Sequence, residues 1–203
     1  MRAAAAVVTA SLATTGAFAS WSPIRSDDWS SETHVWLARA MVAEAGWKST
    51  RDHVAIAYVL ARRLKAKRKR FPNVRFVHII RGYCAGLEAG RSEWTPRQRW
   101  LHGLNLRSVK PDGWPERYPP WKQYRKRWRQ VLKRVDDWRR GRLGDPCRGQ
   151  AWHWGCELDV PGERMFPVDC GDTRNTFYGL TRRLDNGDKE KTARERFKRR
   201  DPR

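Results

Sequence analysis

The chain has 203 residues, enough for one domain with a proper core plus tails and barely enough for two small ones. Its 43 Lys and Arg outweigh 22 Asp and Glu, a formal charge of +21 that favours association with polyanions. After the first nineteen residues no apolar run is long enough to span a bilayer, which excludes a chain that threads the membrane repeatedly.

Those first residues read as an export signal. Met1-Arg2 supplies a short positive start, Ala3 to Ala17 an apolar, alanine-rich run, and Ala17-Phe18-Ala19 a small-x-small site before Ser20. Cleavage after Ala19 predicts a secreted or periplasmic protein of charge +20, with no transmembrane segment after the signal. An uncleaved anchor and a buried helix are the alternative readings of the run. Polyanions met outside the cytoplasm are teichoic acids, lipopolysaccharide and anionic headgroups, so anionic cell-wall polymer is the expected charged partner and nucleic acid is not.

Ser20 to Asp28 is a short polar lead-in. Ser30 or Ser31 caps a first helix that runs to about Ala45 and stops at Gly46. Leu37, Ala40 and Met41 recur there at helical spacing, and Glu44 lies seven, four and three residues after them, on the same face. A carboxylate held against an apolar surface resists ionisation, which is what a general acid needs near neutral pH. The plainer alternative is a glutamate that snorkels from the edge of the stripe or pairs with an arginine. Ser49 with Asp52 resembles a capping box, with Asp in place of the preferred Glu or Gln. In the second helix Val54, Ala57, Tyr58, Ala61 and Leu64 form one stripe, widened by Ile56 and Leu60, so this helix is expected at the centre of the fold. Arg62 to Arg70 holds seven Lys or Arg in nine residues and reads as a solvated helix end, and Phe71-Pro72 breaks the helix.

Val74, Phe76, Val77, Ile79 and Ile80 make a mixed apolar run, either a short strand or a buried helical turn. Gly82, Gly86 and Gly90 predict a loop around Cys84. Thr95-Pro96 starts a helix whose buried side is Trp100, Leu101 and Leu104. After a looser stretch from Lys110 to Pro120, the positions Trp121, Tyr124, Trp128, Val131, Val135 and Trp138 mark the most regular helix of the chain. Its narrow aromatic stripe predicts core packing, with a membrane-surface role as the alternative. Gly141, Gly144 and Pro146 end it. Residues 147–180 are rich in Gly, Cys and aromatics and read as loops or short strands. Arg182 to Arg203, with ten basic and five acidic residues and one aromatic, is a basic tail that buries little.

Four cysteines, Cys84, Cys147, Cys156 and Cys170, form an even set after an export signal and suggest two disulfides. The spacings lack the close pairs of a zinc site. Of three connectivities we favour Cys147 with Cys170, clasping the loop between them, and Cys84 with Cys156. Twelve tryptophans are an over-use. Trp47, Trp94, Trp114, Trp152 and Trp154 fall in loops, where one or two exposed faces suit stacking on sugar rings, while packing accounts for the others. His153, between Trp152 and Trp154, invites a base or ligand role, against the commoner one of a hydrogen-bonding core histidine. His34, His53, His78 and His102 show no metal-ligand spacing, and no nucleophile elbow supports Ser-His-Asp chemistry. No metal or cofactor is expected.

The segment Leu37-Ala38-Arg39-Ala40-Met41-Val42-Ala43-Glu44-Ala45, followed by His53-Val54-Ala55-Ile56-Ala57-Tyr58-Val59-Leu60-Ala61-Arg62-Arg63, resembles the opening of the spore-cortex-lytic (SleB-like) bacterial cell-wall hydrolases. The resemblance extends to Phe71-Pro72 and the Val77-Ile79-Ile80 run, and resumes more loosely at Ala151-Trp152-His153-Trp154-Gly155 and Asn175-Thr176-Phe177-Tyr178-Gly179. Ala61 departs from it, standing where the family has Asn; so do the segment around Cys84 and the basic tryptophan helix. It implies a lysozyme-like domain, although the Cys147, Cys156 and Cys170 loop is also a departure; with the reading of the residues above, the expectation is an α+β, mostly helical domain over 29–180 with a loop-rich, cysteine-containing C-terminal part, between the signal at 1–19 and a disordered basic tail at 181–203.

What the resemblance further implies is cleavage of peptidoglycan glycan strands by a single glutamate. Glu44 would protonate the glycosidic oxygen between N-acetylmuramic acid and N-acetylglucosamine. A second carboxylate, required in many glycosidases, has only Glu88, Glu93 and Asp159 as candidates, by loop location alone. A lytic transglycosylase needs none, because the muramyl 6-hydroxyl attacks internally. His153 and Tyr178 would orient the sugar, Thr173 and Asn175 would hydrogen-bond an acetamido group, and Trp154 would line the substrate cleft of a monomeric enzyme. The competing class is a non-catalytic basic module that binds anionic wall polymer or nucleic acid.

Overall fold

In the computed structural model, which describes residues 24–84, 87, 95–155 and 165–180, α1 (Ser31–Ala45) begins where the Ser30 hydroxyl accepts the Thr33 N–H at 3.1 Å. It stops at Gly46, whose φ of +71° turns the chain where a side chain would be strained. The expected signal, the tail, Glu88, Glu93, Trp94, Cys156 and Asp159 lie outside the described residues.

The last two turns of α1 are buried almost all the way round: Ala38, Ala40, Met41, Val42, Ala43 and Ala45 are core residues. Alanines let neighbouring helices come close, and α1 packs against α2 (Thr50–Arg68), α3 (Phe76–Tyr83), α4 (Pro96–Gly103) and α5 (Trp121–Arg139). The second helix, expected at the centre, is buried from Asp52 to Arg62 and shares that position with α1. The run after Phe71-Pro72 is a helix, because Phe76, Val77 and Ile80 at i, i+1 and i+4 all face the core. Thr95 and Gln98 form a reciprocal capping box that starts α4.

The aromatic stripe of α5 is core. Trp128, Val131, Val135 and Trp138 are all 0% exposed, and the Trp128 indole donates to the Asn105 carbonyl at 2.7 Å. The membrane-surface alternative for that stripe therefore falls. Among the described residues no helix is long and apolar enough to cross a membrane.

The C-terminal part forms a small antiparallel sheet from β1 (His153–Gly155), β2 (Met165–Val168) and β3 (Thr176–Leu180), in the order β1-β3-β2. His153 lies opposite Tyr178, and Phe166 opposite Gly179. The Phe166 ring lies over Gly179, in the space that a Cβ there would need, so a side chain at 179 would push the exposed ring aside. The fold is thus α+β and mostly helical.

The sheet docks through Trp154, Val168 and Phe177, which join the hydrophobic core, and its approach is fixed by polar groups as well. Arg62, only 8% exposed, donates Nε–H to the Ala151 carbonyl at 2.6 Å and pairs with the Asp145 carboxylate. Arg63 Nε–H donates to the Trp152 carbonyl at 2.7 Å, and Arg68 pairs with the buried Asp28. The basic run is therefore not simply a solvated helix end: three of its cations turn inward to groups that would otherwise be desolvated without partners. Cys147 and Cys170 are bonded, as expected. The other expected pair, Cys84 with Cys156, is corrected: Cys84 is a free thiol, buried where α3 ends.

Candidate active site around Glu44

An α-helix leaves its last four carbonyls without intrahelical partners. At the end of α1, separate elements satisfy two of them and the Gly46 carbonyl just beyond. Arg97 of α4 donates to the Ala43 carbonyl at 2.6 Å, and Asn175 Nδ2–H, ahead of β3, donates to that of Glu44 at 3.3 Å. His53 of α2 donates Nε2–H to the Gly46 carbonyl at 2.8 Å. Because that carbonyl only accepts, Nδ1 of His53 is the bare nitrogen, and it receives the Arg134 guanidinium at 3.0 Å. Burial, with Arg134 as a lesser cause, pushes the His53 pKa down to about 4. The backbone bearing Glu44 is thereby fixed from three sides.

The Glu44 side chain is half-buried, the one residue between Met41 and Ala45 that is not core. The apolar-face argument is thus too narrow: the last turn of α1 has no polar side, and Glu44 is its one half-buried position. The Trp154 indole N–H donates to Glu44 Oε2 at 3.2 Å, across 110 residues of sequence. Cys84 lies close enough for the Glu44 carboxylate to add to burial in pushing its thiol pKa well up, which keeps the sulfur protonated and unreactive.

Four aromatic rings form a chain that starts at Trp154, the residue bonded to this carboxylate. Tyr83 meets Trp154 at 5.8 Å and His153 at 6.2 Å between centroids, and His153 lies 6.4 Å from Tyr178. The Arg63 guanidinium covers Tyr83 at 3.5 Å. His153, half-buried on β1, and Tyr178, buried on β3, therefore share an aromatic cluster with Trp154, the residue that bonds Glu44; Tyr83 joins it with no sequence signal beyond its helical distance from Phe76 and Ile80.

Other expectations change role. Trp154 is 6% exposed and offers no face to a sugar; its task is the bond to Glu44. Asn175 spends an amide N–H on the Glu44 carbonyl, and the Thr173 hydroxyl lies 3.1 Å from the Asn175 carbonyl, inside its own turn. Trp47 is stacked on Trp100 at 5.8 Å and wedged against Trp114 and Tyr124, while Trp114 is 8% exposed, so both are packing residues. Asp52, read only as half of a capping box, is fully buried and receives the N–H groups of Arg174 and Asn175, each at 2.9 Å.

Two shallow depressions on the surface, one beside Ile24 and Arg68 and one beside Trp36 and Val109, do not include Glu44. Among the described residues no group of His, Cys, Asp and Glu is arranged to hold a metal ion. Comparison of the chain with protein-family models, curated proteins and solved structures finds no match.

Proposed function

We propose that this protein is a secreted or periplasmic peptidoglycan-cleaving enzyme of lysozyme-like type, acting as a lytic transglycosylase or muramidase with Glu44 as its general acid. One observation supports the reading above the rest: a half-buried carboxylate, in the buried last turn of α1, is bonded by the indole N–H of Trp154, whose ring belongs to a cluster with Tyr83 and His153. Such preorganisation is the main protein contribution to acid–base catalysis.

In the transglycosylase route, Glu44 gives its proton to the glycosidic oxygen as the bond from muramyl C1 to that oxygen breaks. The resulting carboxylate takes the proton of the muramyl 6-hydroxyl as O6 bonds to C1. Glu44 ends protonated, no water is consumed, and no second carboxylate is needed. In the muramidase route water takes the place of O6.

Glu44→Gln keeps the acceptor for Trp154 and removes the transferable proton. Wild type is expected to clear a suspension of purified peptidoglycan and to leave a cleared band in a gel containing it, and the variant to do neither while melting at the same temperature. Equal clearing by the variant overturns the assignment.

A binding module remains the second reading because Lys122, Arg125, Lys126 and Arg129 line the exposed face of α5. It predicts salt-sensitive retention on teichoic acid or DNA with no bond cleaved.

A further inference from the structure

Asp52 is the only acidic side chain of α2 and is 0% exposed. Burying a carboxylate is costly unless donors surround it. Here Oδ1 accepts the Asn175 N–H and Oδ2 the Arg174 N–H, and the Ser49 hydroxyl donates to Oδ2. The N-terminal end of α2 adds its dipole. Two of these donors lie 122 and 123 residues from Asp52 in the chain, so the carboxylate clamps the turn before β3 onto the start of α2.

That turn carries the connections between the sheet and Glu44. Asn175, whose N–H Asp52 holds, places its own amide on the Glu44 carbonyl. The next residue opens β3, which pairs Phe177 with Trp154, and the Trp154 indole holds the Glu44 carboxylate. Both contacts therefore depend on where the turn sits. An apolar side chain at 52 would fill space but take the acceptor from two N–H groups of the turn and so release the clamp.

We infer that Asp52 is a positioning residue for Glu44, acting through the 171–175 turn and the register of β3 to set the carboxylate against Trp154. Its catalytic consequence rests on Glu44 being the general acid; its geometric content is measurable without turnover.

The test uses the full chain with Asp52→Asn. The new amide accepts one backbone N–H and faces the other with its own donors. The indole N–H resonance of Trp154, assigned by its loss in Trp154→Phe, is expected to shift in Asp52→Asn. On soluble glycan strands kcat is expected to fall about tenfold to a hundredfold with KM within about twofold, as a displacement near 1 Å produces. The pH at which activity peaks stays put, since Asp52 exchanges no proton with substrate. Asp137→Asn, at a surface pair with Lys133, should change none of these. A folded Asp52→Asn protein with an unmoved Trp154 resonance and wild-type kcat overturns the inference. Should Asp52→Asn fail to fold, Asn175→Ala carries the test: the Trp154 resonance moves if the turn positions Glu44, and an unmoved resonance overturns the inference. If the resonance moves but wild type cleaves no glycan, the acid role of Glu44 fails while the positioning stands.

Discussion

Trp138 and Arg62 sit on packed helices and are both nearly hidden from water, yet they join the molecule in different ways. Trp138 stacks on Phe76 at 6.1 Å and meets Tyr58 edge-on at 5.9 Å, in a cluster held by apolar area. Arg62 reaches a main-chain carbonyl and a carboxylate, in a seam where aimed hydrogen bonds are added to the apolar packing of Trp154 and Phe177. The helical body thus tolerates small shifts, because dispersion and burial are non-directional. The joint to the sheet does not, because each bond there has one geometry. Glu44 lies on that joint, its backbone in the body and its carboxylate bonded to the sheet, and this is where a reacting group needs fixed orientation.

Mutations on the two sides should separate these modes. Trp138→Ala empties the centre of the body and is expected to lower stability by about 4 kcal/mol, seen as a fall in urea midpoint with all regions unfolding together. Arg62→Met keeps the packing stem but takes the donor from the Ala151 carbonyl and leaves Asp145 with only the N–H groups of Cys147 and Gly149. About 3 kcal/mol should be lost, with amide exchange rising first in the sheet and only later in α1. If both variants unfold the molecule in the same single step, the division into body and joint is wrong.

Acid sharpens the contrast. The His53 pKa is about 4 in the fold against an ordinary 6.5, so the unfolded chain binds the extra proton first as pH falls. Stability contributed by the neutral ring is complete above pH 6.5 and lost downward towards the folded pKa. The loss is about 3 kcal/mol by pH 4. Urea titrations between pH 7 and 4 should show this slope, and His53→Gln should flatten it. Reducing Cys147–Cys170 opens a closure of 23 residues. A loop of that size is worth about 3 kcal/mol, taken from the sheet side only. Smallest is Tyr58→Phe, which leaves the Leu143 carbonyl without the Tyr58 hydroxyl at 2.7 Å and should cost about 1 kcal/mol.

Local signals were legible in the sequence. The Ser30 and Thr95 caps, the stop at Gly46 and the α5 stripe each lie within a few residues of what causes them. Glu44 stood out for the same reason, as a charge among apolar neighbours. Long-range pairs were not legible. Arg62 meets Ala151 from 89 residues away, and Asp52 meets Asn175 from 123, so a charge run and a capping box are all that either shows locally. Trp154 was read as a sugar platform because exposure is a property of the folded chain. Only Cys147 with Cys170, where covalent chemistry restricts the partners to four residues, could be paired in advance.

The central claim is that the Glu44 proton breaks the glycan strand, and mass spectrometry of what purified peptidoglycan releases tests it most directly. Wild type is expected to yield muramyl-ended fragments, lighter by one water than simple hydrolysis products if O6 is the nucleophile, and Glu44→Gln to yield none. Release of the same fragments at the same rate by both proteins, or by neither, would contradict it.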